Sequence, residues 1–125
     1  MNATNLFQAN LAALRKRHPA AAQAVEAAPS CAAQLDLAQR QAAEAHWLRC
    51  QNLGGQPYAT LVVFGFGTGY HVEELVKGRR AEMIVVVEPD PASVRAAMSA
   101  RDLTALLRHP RACFIVAGDL HGCTS

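Results

Sequence analysis

The stretch Leu61-Val62-Val63-Phe64-Gly65-Phe66-Gly67-Thr68-Gly69 decides the fold. Four consecutive apolar residues are the pattern of a parallel strand buried on both faces. Three alternate glycines then permit a tight turn with positive φ, and Tyr70 to Lys77 reads as a helix that Gly78 ends. Further on, Met83-Ile84-Val85-Val86-Val87 is a second buried strand, closed by Glu88-Pro89-Asp90-Pro91. Asp90 suits an N-cap and Pro91 the first position of a helix that turns Val94, Ala97 and Met98 inward. A helical turn with Leu103, Leu106 and Leu107 precedes a third strand, Cys113-Phe114-Ile115-Val116. Strand, helix, strand, helix, strand predicts the α/β class: a three-layer, Rossmann-like half with a parallel β-α-β-α-β sheet.

Upstream the character differs. Alanine supplies 25 of the 125 residues and 16 of these precede Gln51, so the first part is helix-rich with small side chains. Thr4 is placed to cap a helix carrying Phe7, Leu11 and Leu14, and Pro19 opens a second helix through Glu26. Ala33 to Leu37 is compatible with a short alternating strand or with a helix start, and Gln39 to Cys50 favours helix. Asn52, Gly54, Gly55 and Pro57 mark a loop. The expected organisation is a helical segment over 1–57 and a Rossmann-like unit over 58–125, together one domain, as this length allows.

Composition narrows the function. Twelve basic and ten acidic residues give +2, with no polybasic stripe, which excludes a nucleic-acid signature. Lys77, Arg79 and Arg80 read as a solvated loop. Cys31, Cys50, Cys113 and Cys123 form no CxxC pair, so neither a zinc site nor a disulfide framework is supported. The opening residues lack the pattern of a secretory leader, and no run approaches the roughly 18 apolar residues of a spanning helix. A cytoplasmic, reduced protein is expected.

The glycine loop is the candidate ligand site. Amides at a helix start receive anionic groups. The spacing is GxGxG where the dinucleotide fingerprint is GxGxxG, which weakens an NAD or FAD reading. It is closer to the loop of S-adenosylmethionine-dependent methyltransferases. In that resemblance Glu88 would hold ribose hydroxyls and Asp119 the base, although Val63 stands where many such enzymes carry an acid. Gly65, Gly67, Gly69 and Glu88 are the leading binding candidates, with Tyr70, His71 and Asp119 behind them. Asp90 reads as a cap and Asp119 and His121 as tail. No catalytic nucleophile–base pair is placed by a local motif. The alternative is a turn kept for helix–strand packing, in a pure interaction module.

At full length, Val62 to Leu75, with Val85-Val86-Val87-Glu88-Pro89-Asp90, resembles the amino-terminal domain of the Maf family, the motility-associated factors that glycosylate bacterial flagellin. Asn10-Leu11-Ala12-Ala13-Leu14, Arg17-His18-Pro19 and Arg101-Asp102-Leu103-Thr104-Ala105-Leu106-Leu107 are similar to that family as well. The stretch between Pro29 and Pro57 is shorter than the family pattern. The resemblance implies a full-length enzyme that moves a CMP-activated nonulosonic acid onto Ser or Thr of flagellin in the cytoplasm, through a sialyltransferase-like central domain that this sequence does not include. It implies an accessory domain without catalysis of its own. The apolar Leu61–Phe64 edge carries no protecting lysine or proline, so it is expected to meet a downstream glycosyltransferase domain or a second copy.

Overall fold

The computed structural model describes residues 2–30, 35–54 and 58–116. Three helices come first: α1 (Ala3–Arg17), α2 (Pro19–Ala27) and α3 (Leu37–Arg49). Then β1 (Tyr58–Phe64), α4 (Tyr70–Lys77), β2 (Ala81–Glu88), α5 (Pro91–Ala100), α6 (Thr104–Leu107) and β3 (Ala112–Val116) follow. The class is mixed α/β with a helical amino-terminal segment, as the patterning requires. The three strands among the described residues are parallel, in the order β1-β2-β3.

Register explains the core. Val63 pairs with Val86 and Val86 with Phe114, while Leu61 pairs with Ile84 and Ile84 with Ala112. Side chains alternate along each strand, so these residues share one face. Both crossovers step the same way across the sheet, and right-handed connections therefore lay α4, α5 and α6 on that same face. Val63, Ile84, Val86, Ala112, Phe114 and Val116 are all buried there in one cluster with Val72, Leu75, Met98, Leu103 and Leu107.

The opposite face is different. Val62 is 52% exposed and Phe64 76%, whereas Val63 between them is 5% exposed. Val85, Val87, Cys113 and Ile115, on the same side as Val62 and Phe64, are only half-buried. The expectation that Leu61–Phe64 is buried on both faces thus fails at Val62 and Phe64. The reason is topological: all described crossover helices lie on the other side.

Helices α1 and α2 join the covered side. Phe7, Leu11 and Leu14 of α1 are buried, and α1 packs on α5 and α6. Ala21 and Ala22 of α2 are buried without a bulky side chain, which lets α2 approach β3 closely. The side-chain amide of Asn10, wholly buried, donates to the carbonyls of Met98 (2.8 Å) and Arg101 (2.8 Å). Its oxygen accepts from the Leu103 amide at 2.8 Å, so one side chain ties α1 to the α5–α6 junction. Arg17 donates to the carbonyls of His109, Pro110 and Ala112, which anchors the end of α1 to the start of β3.

Local expectations are met in part. Asp90 caps α5 by accepting from the Ala92 amide, with Pro91 in the first position. Helix α1, however, is capped by Asn2, whose oxygen accepts from the Asn5 amide, and Thr4 lies inside the helix. Leu37 opens α3, capped by Asp36, while Ala33 and Gln34 lie outside the described residues. Asp119, His121 and Pro57 also lie outside them. No helix among the described residues is long and apolar enough to cross a membrane.

Candidate functional site

The loop between β1 and α4 turns at the carboxyl end of the sheet. Gly65, Gly67 and Gly69 have φ of 100°, 56° and 86°. Gly69 is the N-cap of α4 and contributes no side chain, so the first amides of α4 need another acceptor. A nucleotide phosphate would serve in a dinucleotide-binding fold. Here the acceptor is the carboxylate of Glu44, from α3.

Glu44 Oε2 accepts from the Thr68 amide (2.9 Å) and the Thr68 hydroxyl (2.7 Å). Its Oε1 accepts from the Tyr70 amide (3.0 Å) and faces His71 Nδ1 at 3.2 Å. Arg40, one turn earlier on α3, lies 3.4 Å from Oε2. Burial alone would raise the Glu44 pKa. The hydrogen bonds from His71 and Thr68, with a smaller electrostatic contribution from the His71 ring, outweigh it and bring the carboxyl down to about 2 from 4.5. Glu44 is the only described residue of α3 that is buried. The helix is therefore fastened by a charge, with Trp47 edge-on to His71 at a 5.1 Å centroid distance.

The remaining candidates are tied into the same loop. His71 Nε2 faces the Gly65 carbonyl at 3.0 Å. Both ring partners are acceptors, so the ring bridges loop and helix fully only with a proton on each nitrogen. Tyr70 lies under the Arg101 guanidinium, 3.7 Å from the ring centroid. Arg101 also donates to the Thr68 carbonyl at 2.6 Å and pairs with Glu73. Glu88, at the end of β2, is buried; its Oε1 accepts from the Phe66 amide (2.8 Å) and its Oε2 from the Asp90 amide (3.1 Å).

Gly65, Gly67, Gly69, Tyr70, His71 and Glu88 are thus brought together, and Asp119 lies outside the described residues. Glu44 and Arg101 are site residues that pattern reading missed. The one local hint of Glu44 is its i,i+4 relation to Arg40. Gly67 has a second role: a Cβ there would stand 2.6 Å from Glu44 Oε2, so only glycine lets the carboxylate approach. Beneath the carboxyl ends of β2 and β3, Phe66, Val94, Leu107 and Phe114 leave about 10 Å³, at most the room of a single water. An open groove of about 430 Å³ runs between α3 and α4 past Gln41, Arg49, Tyr70 and Arg101. Among the described residues no group of three His, Cys, Asp or Glu side chains could hold a metal ion.

A family model described as the glycosyltransferase Maf N-terminal domain matches residues 33–112, from just before α3 to the start of β3. The chain belongs to that family. The match includes both halves of the Glu44 contact, α3 and the glycine loop, so the contact lies wholly within the Maf N-terminal domain. Helices α1 and α2 precede it. No curated protein and no solved structure matches the chain.

Proposed function

We propose that this Maf N-terminal domain is a non-catalytic accessory unit of a glycosyltransferase that glycosylates flagellin in the bacterial cytoplasm, and that its glycine loop is an internal socket for α3. The partner is the glycosyltransferase region of the enzyme; flagellin and a CMP-activated nonulosonic acid are the acceptor and donor that family resemblance suggests for the whole.

The observation that carries the reading is the Glu44 carboxylate. It takes the two backbone amides, the hydroxyl and the ring nitrogen that a ligand phosphate or carboxylate would need. Glu88, the acid suited to a ribose diol, spends both oxygens on backbone amides. A donor sugar or S-adenosylmethionine would reach Gly67 and the Thr68 and Tyr70 amides only by displacing Glu44 of α3. Losing a buried, multiply bonded carboxylate from its partners costs about 3–5 kcal/mol, a large share of the stability of a domain this size.

Thermal-shift titration with a CMP-activated nonulosonic acid and with S-adenosylmethionine tests this. No displacement of the melting curve is expected with either at millimolar concentration. A saturable shift with either ligand that Glu88→Gln abolishes would overturn it, and would make the loop a cofactor site.

A further inference from the structure

We propose that the pocket between the end of α4 and the α6–β3 connection binds the phosphoryl group of a small phosphate monoester. The pocket has about 290 Å³, close to the lower bound of a small-ligand site. Lys77 and Arg79 line it from the end of α4, and His109 and Arg111 from the segment before β3. The two pairs lie far apart in sequence, and neither is a motif alone.

Backbone strain singles out Arg79. Helix α4 closes with the Arg80 amide on the Leu75 carbonyl (3.4 Å) and the Arg79 amide on the Val76 carbonyl (3.2 Å). That paired closure puts the first residue past the cap in the left-handed region, where glycine is usual. Here Arg79 takes the position at φ 52°, while Gly78 beside it has φ −75°. The Arg79 side chain is exposed and makes no hydrogen bond or ion pair among the described residues. Nothing described in the fold offsets the strain, and strained residues of this kind gather at ligand sites.

The charges around it are unbalanced. Arg111 is fixed by donating to the carbonyls of Val76 (3.0 Å) and Ala81 (3.5 Å), and no described carboxylate pairs with it. Lys77 lies 4.0 Å from Glu74 with both side chains largely exposed, which is a weak pair. Glu73, the acid that lines the pocket, is already engaged by Arg101. His109 Nδ1 accepts from the Arg111 amide at 3.1 Å. Partial burial, then the charges of Arg111 and Arg17, hold this imidazole below its ordinary pKa. It is therefore neutral at pH 7 with its proton on Nε2, a donor that has no acceptor among the described residues.

Three cations and an imidazole N–H offer more than a carboxylate can use, with its single charge and two oxygens. A phosphate monoester brings close to two charges and three acceptor oxygens, and guanidinium forks match such oxygens. Val76, Ala105 and Leu106 supply an apolar wall for the organic part. A CMP-activated sugar holds its phosphorus as a singly charged diester, so it is not the ligand meant here. The pocket also uses none of the groups bound to Glu44, and the two readings stand or fall separately.

Amide NMR titration of the chain with phenyl phosphate tests this, with benzoate as the carboxylate control and sodium chloride holding ionic strength constant. Saturable shifts centred on the pocket are expected, with phenyl phosphate bound at least about ten times tighter than benzoate. Arg79→Gly is the decisive variant. It should raise the melting temperature, because glycine relieves the left-handed strain, and weaken phenyl phosphate at least about tenfold. An arginine that only caps the helix would give the first effect without the second. Lys77→Gln, at an exposed position, should weaken binding by a smaller factor, and it carries the test if Arg79→Gly fails to fold. No saturable shift, equal affinity for benzoate, or binding that these variants leave unchanged would each overturn the proposal.

Discussion

The two faces of this sheet are built from similar residues and live in different surroundings. On one side Val63, Val86 and Phe114 are buried in one cluster with residues of α1, α2, α4, α5 and α6; on the other Val62 is exposed and Val85 and Ile115 half-buried, with only the end of α3, at Trp47 and Leu48, beside Val62. Apolar content does not separate them. Direction of travel does: β1 leads to β2 and β2 to β3 without reversal, so right-handed connections stack every crossover helix on one side. A doubly wound sheet covers its second face by reversing direction. The described strands contain no reversal. The lesson is that burial in a parallel sheet is a property of the path between strands as much as of the strands.

Phe64 and Phe66 put the comparison in its sharpest form. They are two residues apart; Phe64 stands free, and Phe66 is almost fully buried with its ring edge-on to Phe114 at 5.9 Å. Phe66→Ala should cost about 4 kcal/mol, the usual range for emptying an aromatic core site. In urea denaturation of dilute protein the midpoint should fall accordingly, with an unchanged slope. A Phe66→Ala cost no larger than that of Phe64→Ala would mean that the covered face is not the core.

The Glu44 socket should be nearly as costly to break. Glu44→Ala leaves the Thr68 and Tyr70 amides and the His71 ring without their acceptor, a loss of about 3 kcal/mol. The effect has a pH signature. A carboxyl held at about 2 in the folded state and near 4.5 when unfolded stabilises the fold fully above pH 4.5, and that contribution disappears as pH falls towards 2. Acid titration of stability should therefore be steeper for the native protein than for Glu44→Ala in this window. Equal slopes would mean that the carboxylate is not bound as described.

Gly67 sharpens the same point through coupling. Gly67→Ala places a residue at φ 56° and a Cβ 2.6 Å from Glu44 Oε2, for a combined cost of about 2–3 kcal/mol. In the Glu44→Ala background the clash is gone and only the backbone strain of about 1 kcal/mol remains. Gly65→Ala, where a Cβ meets nothing within 4 Å, should show no such coupling. A double-mutant cycle with an interaction term near zero at Gly67 would break the socket reading.

Legibility followed the range of the interaction. The three strands, the glycine turn, the Asp90-Pro91 helix start and the Gly78 stop all depend on neighbours within a few positions, and all were readable. Even the cap of α1 misplaced by two residues, Asn2 for Thr4, is a local error between two capable side chains. What pattern could not supply spans distance. Glu44 meets its partners 24 to 27 positions away, on a helix whose other residues give no apolar stripe to orient it. Asn10 reaches Leu103 across 93 positions. The exposure of Val62 and Phe64 was hidden for the same reason, because a continuous apolar run reads identically whether one face is covered or two.

The smallest effect belongs to the bare face. Phe64→Thr removes a large apolar surface from a site that is already wet and replaces it with a β-branched residue suited to a strand. In the monomer this should alter stability by less than about 0.5 kcal/mol, the usual bound for a surface change. Calorimetry of dilute protein measures it, and Phe64→Thr should match the native melting temperature there. A Phe64→Thr chain that melts well below the native one at high dilution would mean that Phe64 already has a cover within its own chain, and the two faces would then differ far less than their exposures imply.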